Sequence, residues 1–255
     1  FVEVFDSLRI MGVLQRIAIA YLLASFIVLT FKRFGILLVS AFILIFYSVL
    51  LLSVGSDAAH SLEGNLVRQV DIAIFSAEHL YQGFGMPFDP EGLLSCIPAV
   101  VSVLVGFEIT RLLSECRSKQ ESIVRLMQIG TVTVIFSLFL DNYLPINKAL
   151  WTASYVIFTS AIACFVLALF VYLIDVKKIN KPIVPLMVYG SNPLFVYVLS
   201  WLWLASYALI NIGQLDLYQW LFSQFQLVFS DKLASFVFAL SHVTLFWWVS
   251  LWPVS

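Results

Sequence analysis

The sequence predicts an all-α protein, a polytopic transmembrane helical bundle with about seven spans. Three observations carry this. Hydrophobic residues make up 62% of the 255 residues and charged residues 11%, against roughly 45–50% and about 25% in ordinary soluble domains. The mean hydropathy is +0.99. The apolar residues fall into stretches of about 20, the length that crosses a hydrocarbon core as a helix. Lipid can solvate that much apolar surface, and backbone polar groups in lipid must be satisfied within each segment, which selects helices.

The predicted spans run over 12–31, 35–54, 92–113, 123–140, 151–174, 184–210 and 233–253. Lys and Arg set the orientation. One set of connections holds Lys32, Arg33, Arg111, Arg117, Lys119, Arg125, Lys177, Lys178 and Lys181; the other holds Arg9, Arg16, Arg68, Lys148 and Lys232. The richer side is expected to be cytoplasmic. The first residues then lie outside, as do the loops 55–91, 141–150 and 211–232, and Ser255 lies inside. The whole chain, 1–255, reads as one transmembrane domain, the C-terminal part of a longer protein.

The loop 55–91 is acidic: Asp57, Glu63, Asp71, Glu78, Asp89 and Glu91 stand against Arg68. Within it Leu66–Tyr81 has helical potential. Asp89-Pro90-Glu91 reads as a helix start, because Asp caps, Pro suits the first helical position and Glu favours the positive helix end. Leu217–Phe229, rich in aromatics and glutamines, reads as an interfacial helix.

Net charge is −1, so no global field attracts nucleic acid. Cys96, Cys116 and Cys164 are scattered without C-x-x-C spacing, which argues against a disulfide framework or a metal site. His60, His79 and His242 lack partners at ligand spacing, so no metal is expected.

Polar groups in or at the edge of a membrane are costly and mark candidate sites. Arg16 sits at the outer start of the first span, suited to an anionic or hydroxyl-rich ligand. Asn147, Lys148, Trp151, Ser154 and Tyr155 bring amide, ammonium, indole and hydroxyl groups within two turns. Positions 147, 151, 154 and 155 share a face if the segment is helical, and an aromatic beside hydrogen-bonding groups suits a sugar. In the sixth span, Gly190-Ser191-Asn192-Pro193 predicts a break, since Pro193 lacks a donor; broken membrane helices often line binding sites, with Asn192 as the candidate here. Glu108 and Arg111, three residues apart, predict a helix-surface ion pair.

These motifs resemble one family. Arg9-Ile10-Met11-Gly12-Val13-Leu14-Gln15-Arg16, then Asp71, His79-Leu80-Tyr81 and Phe88-Asp89-Pro90-Glu91-Gly92, then Pro145-Ile146-Asn147-Lys148-Ala149-Leu150-Trp151 with Ser154-Tyr155-Val156, and more loosely Gly190-Ser191-Asn192 with Val196-Tyr197-Val198, are similar in kind and order to motifs of the heparan-α-glucosaminide N-acetyltransferase family. The resemblance implies transfer of an acetyl group from cytoplasmic acetyl-CoA, as co-substrate, to an amino sugar across the membrane. It implies that Asp89 or Glu91 holds a sugar ammonium, and that Asn147, Lys148, Trp151, Ser154, Tyr155 and Asn192 line the path. The family's key histidine lies in an H-x-x-W-N-G-like stretch that this sequence does not contain, so no catalytic residue is carried over. Some bacterial relatives are labelled N-acetylglucosamine-related transporters, which makes a sugar carrier the alternative. The resemblance points to the bacterial inner membrane, with a lipid bilayer and an amino sugar as partners, no nucleic acid, and room for a homodimer.

Overall fold

The computed structural model describes residues 7–53, 59–179 and 183–251. Asp57, Lys181 and Ser255, named above, lie outside the described residues. The elements are α1 (Val13–Thr30), α2 (Arg33–Leu52), α3 (Leu66–Phe75), α4 (Cys96–Glu115), α5 (Lys119–Asp141), α6 (Ala153–Phe170, continued by a π-helical turn to Val176), α7 (Val184–Ser191), α8 (Pro193–Tyr207), a two-residue-per-strand hairpin β1 (Asn211–Ile212) and β2 (Leu215–Asp216), α9 (Leu217–Gln226) and α10 (Asp231–Ser250). Six helices among the described residues are long and apolar enough to span a membrane: α1, α2, α4, α5, α6 with its extension, and α10. The molecule is an all-α integral membrane protein.

The chain divides into two compact units, Phe1–Lys177 and Lys178–Ser255. The first packs α1 to α6. Small side chains let its helices approach closely, as membrane interfaces require. Ala20 and Ala24 of α1 meet Ala99, Val100 and Leu104 of α4 over Ile36 of α2. Gly130 of α5 lies against the Phe165 ring, where a Cβ would come within 2.8 Å; Leu126, Cys164 and Ala168 bury beside it. Toward the other end of the unit Tyr47, Leu51, Val67, Phe88 and Leu150 form a second core that fastens α3 and the 79–95 segment onto α2. At the opposite ends of these helices, Glu108 pairs with Arg111 at 3.3 Å, as the spacing predicts, and also with Arg33 of α2 at 3.4 Å.

The helix starts follow local chemistry. Asn65 accepts from the Arg68 N–H at 2.8 Å to begin α3, Ser118 accepts from the Glu121 N–H at 3.1 Å to begin α5, and Asp216 accepts from the Gln219 N–H at 2.7 Å to begin α9.

Two sequence expectations change. The third span does not start at Asp89-Pro90-Glu91; α4 begins at Cys96. Asp89 is turned to other work: Oδ1 accepts from its own Glu91 N–H at 2.9 Å and its carbonyl from the Gly92 N–H at 3.0 Å, closing a tight turn instead of a helix. The segment 147–152 is likewise a turn, with α6 starting at Ala153. The sixth predicted span carries the break where the sequence places it: it is two helices, α7 and α8, separated at Asn192 (φ −136°, ψ 53°), with Pro193 opening α8. Proline at the first helical position starts a helix because its missing N–H has no partner there anyway.

Candidate functional site

The site grows from the 89–95 turn at the mouth of α4. Arg9 clamps that turn. Its guanidinium donates to both oxygens of Asp89 (2.8 and 2.7 Å) and to Glu91 Oε2 at 2.8 Å, and it lies 4.8 Å over the Tyr81 ring. Asp89 is fully buried. Bidentate guanidinium–carboxylate contacts are among the strong hydrogen bonds, and they raise the Arg9 guanidinium above its ordinary value.

Arg16, in the first turn of α1, reaches the same turn from inside. It is 6% exposed, donates to the Pro90 carbonyl and the Ser95 hydroxyl, and stacks 4.5 Å over the Trp151 ring. It is therefore held, not snorkelling. Its Nε is buried without a hydrogen-bond partner. Behind the turn Asp71 of α3 is fully buried. Its Oδ1 accepts from the Leu93 N–H at 2.9 Å, while Oδ2 has no partner. Burial pushes its carboxyl up to about 6.

A raised acid favours the folded state while it is protonated. Stability from Asp71 is full below its unfolded value near 3.8 and is lost as pH rises through about 6. Asp71→Asn should flatten the unfolding midpoint across this window, removing on the order of 6–12 °C of pH dependence between pH 4 and 7. Thermal unfolding of both proteins in detergent at matched pH values checks this.

The third contributor is the 145–155 segment. Asn147 Oδ1 accepts from the Ala149 and Leu150 N–H groups at 2.9 and 3.2 Å, and the Leu150 carbonyl accepts the buried Tyr47 hydroxyl. Thr152 caps α6 and donates to the Pro145 carbonyl at 2.9 Å. Between these anchors Trp151 is held at φ 52°. A bulky residue in the left-handed region is strained and persists only where its surroundings fix it. The conformation turns the indole onto Arg16 and sets Nε1 3.4 Å from the Ser102 hydroxyl of α4. Tyr155 supports the indole edge-on at 5.1 Å.

Together these elements line a groove of about 400 Å³ whose polar lining is Arg16, Tyr21, Glu91, Ser102, Lys148 and Trp151, over a floor that includes Ala20 and Ala99. It offers one carboxylate, two cations, an indole and two hydroxyls against an apolar wall. Glu91 keeps Oε1 for a ligand, since Arg9 engages Oε2.

Of the residues singled out from sequence, Arg16, Glu91, Lys148 and Trp151 converge on this groove. Asp89 lies beneath it, committed to Arg9. Asn147 spends its carboxamide oxygen on the turn. Ser154 is buried and donates to the Pro145 carbonyl at 3.2 Å. Tyr155 backs the indole, and Asn192 lies in the second unit. Because 147–152 is not helical, positions 147, 151, 154 and 155 do not share one face. The sequence reading passed over Arg9 and Ser102 as site residues. Arg9 carries a signal as a cation that opens the same motif as Arg16; Ser102 carries no local signal.

No protein-family model matches the chain. Curated relatives do. Heparan-alpha-glucosaminide N-acetyltransferase of Homo sapiens is 27% identical over 150 residues, covering 53% of this chain and 22% of that protein. The Mus musculus protein of the same name is 27% identical over 150 residues, covering 53% of this chain and 23% of its own length. The match thus spans less than a quarter of each relative. Over about half its length, the chain is similar to the heparan-alpha-glucosaminide N-acetyltransferases.

Proposed function

We propose that the chain forms the sugar-binding part of a membrane acetyltransferase, which moves an acetyl group from acetyl-CoA on the cytoplasmic face to an amino sugar on the other side. The observation that carries this is the groove: the free Glu91 oxygen suits a sugar ammonium, and the Trp151 indole, fixed in a strained conformation, suits a sugar face. Arg16, Ser102 and Lys148 supply donors for hydroxyl oxygens. Such a groove positions the acceptor amine, and holding a nucleophile in attack geometry is a large part of acyl-transfer catalysis.

The reaction is attack of the neutral amine on the thioester carbonyl. It needs a base for the amine proton and donors for the oxyanion. The groove residues are assigned to binding, and none to the base. The Lys/Arg-rich side is assigned to the cytoplasm by the positive-inside bias. There Arg33, Arg111, Lys119 and Arg125 are engaged in ion pairs with Glu108, Glu115, Asp175 and Glu121, so none of these is assigned to CoA phosphates. A bacterial inner membrane is the proposed location.

The break at Asn192 favours a second reading, a sugar carrier, because discontinuous helices line transporter sites. One assay separates the two. The full-length protein is placed in sealed vesicles with labelled acetyl-CoA on the Lys/Arg-rich face and glucosamine on the other. Labelled N-acetylglucosamine appearing on the glucosamine side, reduced about 100-fold or more by Trp151→Ala, supports acetyl transfer. Uptake of labelled N-acetylglucosamine without transfer selects the carrier.

A further inference from the structure

The second unit holds a cavity of its own. It measures about 360 Å³ and is bounded by α8, α9 and α10, at the small end of the roughly 300–1,000 Å³ range of small-molecule sites. Trp203, Tyr207, Tyr218, Phe222 and Phe238 supply its rings, and His242 lies at its polar end. The rings hold one another edge-on: Tyr218 and Phe222 lie 5.2 and 5.6 Å from Phe238, and Phe238 lies 4.5 Å from His242. No Asp, Glu, Lys or Arg lines it among the described residues.

The polar end has a defined sense. His242 Nδ1 is 2.8 Å from the Phe238 carbonyl, and a carbonyl only accepts, so Nδ1 carries the proton. In the neutral ring Nε2 then accepts, and the Tyr207 hydroxyl, 2.8 Å away, donates to it. The Trp203 indole N–H donates to the Tyr207 oxygen at 2.7 Å. Ser200, also on the wall, donates to the Tyr197 carbonyl at 2.8 Å. Every donor in this relay is spent within the protein, and what remains toward the cavity is oxygen lone pairs on Tyr207 and Ser200 and the hydroxyl of Ser235.

A histidine within a membrane helix is a functional candidate by default, and this cluster selects its ligand by exclusion. An anion finds no cation here, and an ammonium finds no carboxylate. A purely apolar ligand makes no use of the Ser200 and Ser235 hydroxyls on the wall. A monosaccharide ring meets all three demands: its hydroxyls donate to the acceptors, its C–H face rests on aromatic rings, and it carries no charge. We propose that the second unit carries a binding pocket for a neutral pyranose sugar at the Trp203–Tyr207–His242 relay. It is built from residues independent of the Arg16–Trp151 groove, so the two assignments fail separately.

Saturation-transfer NMR on the whole chain, in an amine-oxide detergent free of sugar headgroups, tests this with methyl β-glucopyranoside as probe. Transfer to the ring protons is expected, with the dissociation constant raised about tenfold in Tyr207→Phe and in Phe222→Leu, and unchanged in Leu227→Ala, an exposed position outside the cavity. Phe222→Leu keeps the relay intact, so the test survives if Tyr207→Phe fails to fold. Equal transfer in wild type and a folded variant, or no transfer at about 50 mM sugar, overturns the proposal. So does binding of 1-hexanol in place of the sugar, which would make the cavity a lipid-alcohol site.

Discussion

Arg9→Ala is expected to destabilise the first unit by about 2–3 kcal/mol, below the roughly 3–5 kcal/mol of a fully buried pair, because Arg9 is 35% exposed while its partner Asp89 is buried. The substitution strands Asp89, which is fully buried, and releases Glu91 from the turn. Arg9→Lys keeps the charge but loses the fork that spans both Asp89 oxygens, so it should recover only part of the loss. The double variant Arg9→Ala/Asp89→Asn should be more stable than Arg9→Ala alone, because the stranded charge is gone. Thermal unfolding in detergent reads all three. A midpoint change under about 1 °C in Arg9→Ala would show that the clamp contributes little to folding.

Gly92→Ala should be about as severe. A Cβ built on Gly92 sits 1.7 Å from Asp71 Oδ2 and 2.7 Å from its Cγ. That carboxylate cannot swing away freely, since it is buried and its other oxygen holds the Leu93 N–H. Either the turn moves, opening the Arg16 contacts to Pro90 and Ser95, or Asp71 loses its bond. The expected cost is about 3 kcal/mol, typical of overpacking with a lost buried hydrogen bond. Asp71→Ala/Gly92→Ala should recover at least about 1 kcal/mol relative to Gly92→Ala, a coupling of the size seen between residues in contact. Additive effects of the two changes would contradict the close packing.

What the sequence disclosed and what it withheld follow from the range of each interaction. The spans were legible because lipid imposes a long, local, one-letter signal, and the Pro193 break was legible because its cause is a missing N–H at that position. The start of α4 was not. Asp89 carries every local mark of a helix cap, but its carboxylate is claimed by Arg9, 80 residues earlier, a partner that no local pattern reveals. The same holds for Asn147, whose oxygen folds the turn, and for Trp151, whose left-handed backbone breaks the helical spacing that would have put it on a face with Ser154. Arg16, Glu91, Lys148 and Trp151 were legible one by one as costly groups at a membrane edge. That they meet over one groove, with Ser102 opposite the indole, depends on α1 packing on α4 through Ala20, Ala24 and Ala99, which composition alone does not specify.

The central claim is that the groove binds an amino sugar through Glu91 and Trp151. Titration of the full-length protein with glucosamine near neutral pH, followed by calorimetry in detergent, tests it most directly. Glu91→Gln removes the charge and keeps the shape, and the account predicts an affinity for glucosamine at least about tenfold weaker, with the affinity for uncharged N-acetylglucosamine within about twofold of wild type. Equal weakening for both sugars, or no change for either, would contradict a carboxylate that reads the ammonium.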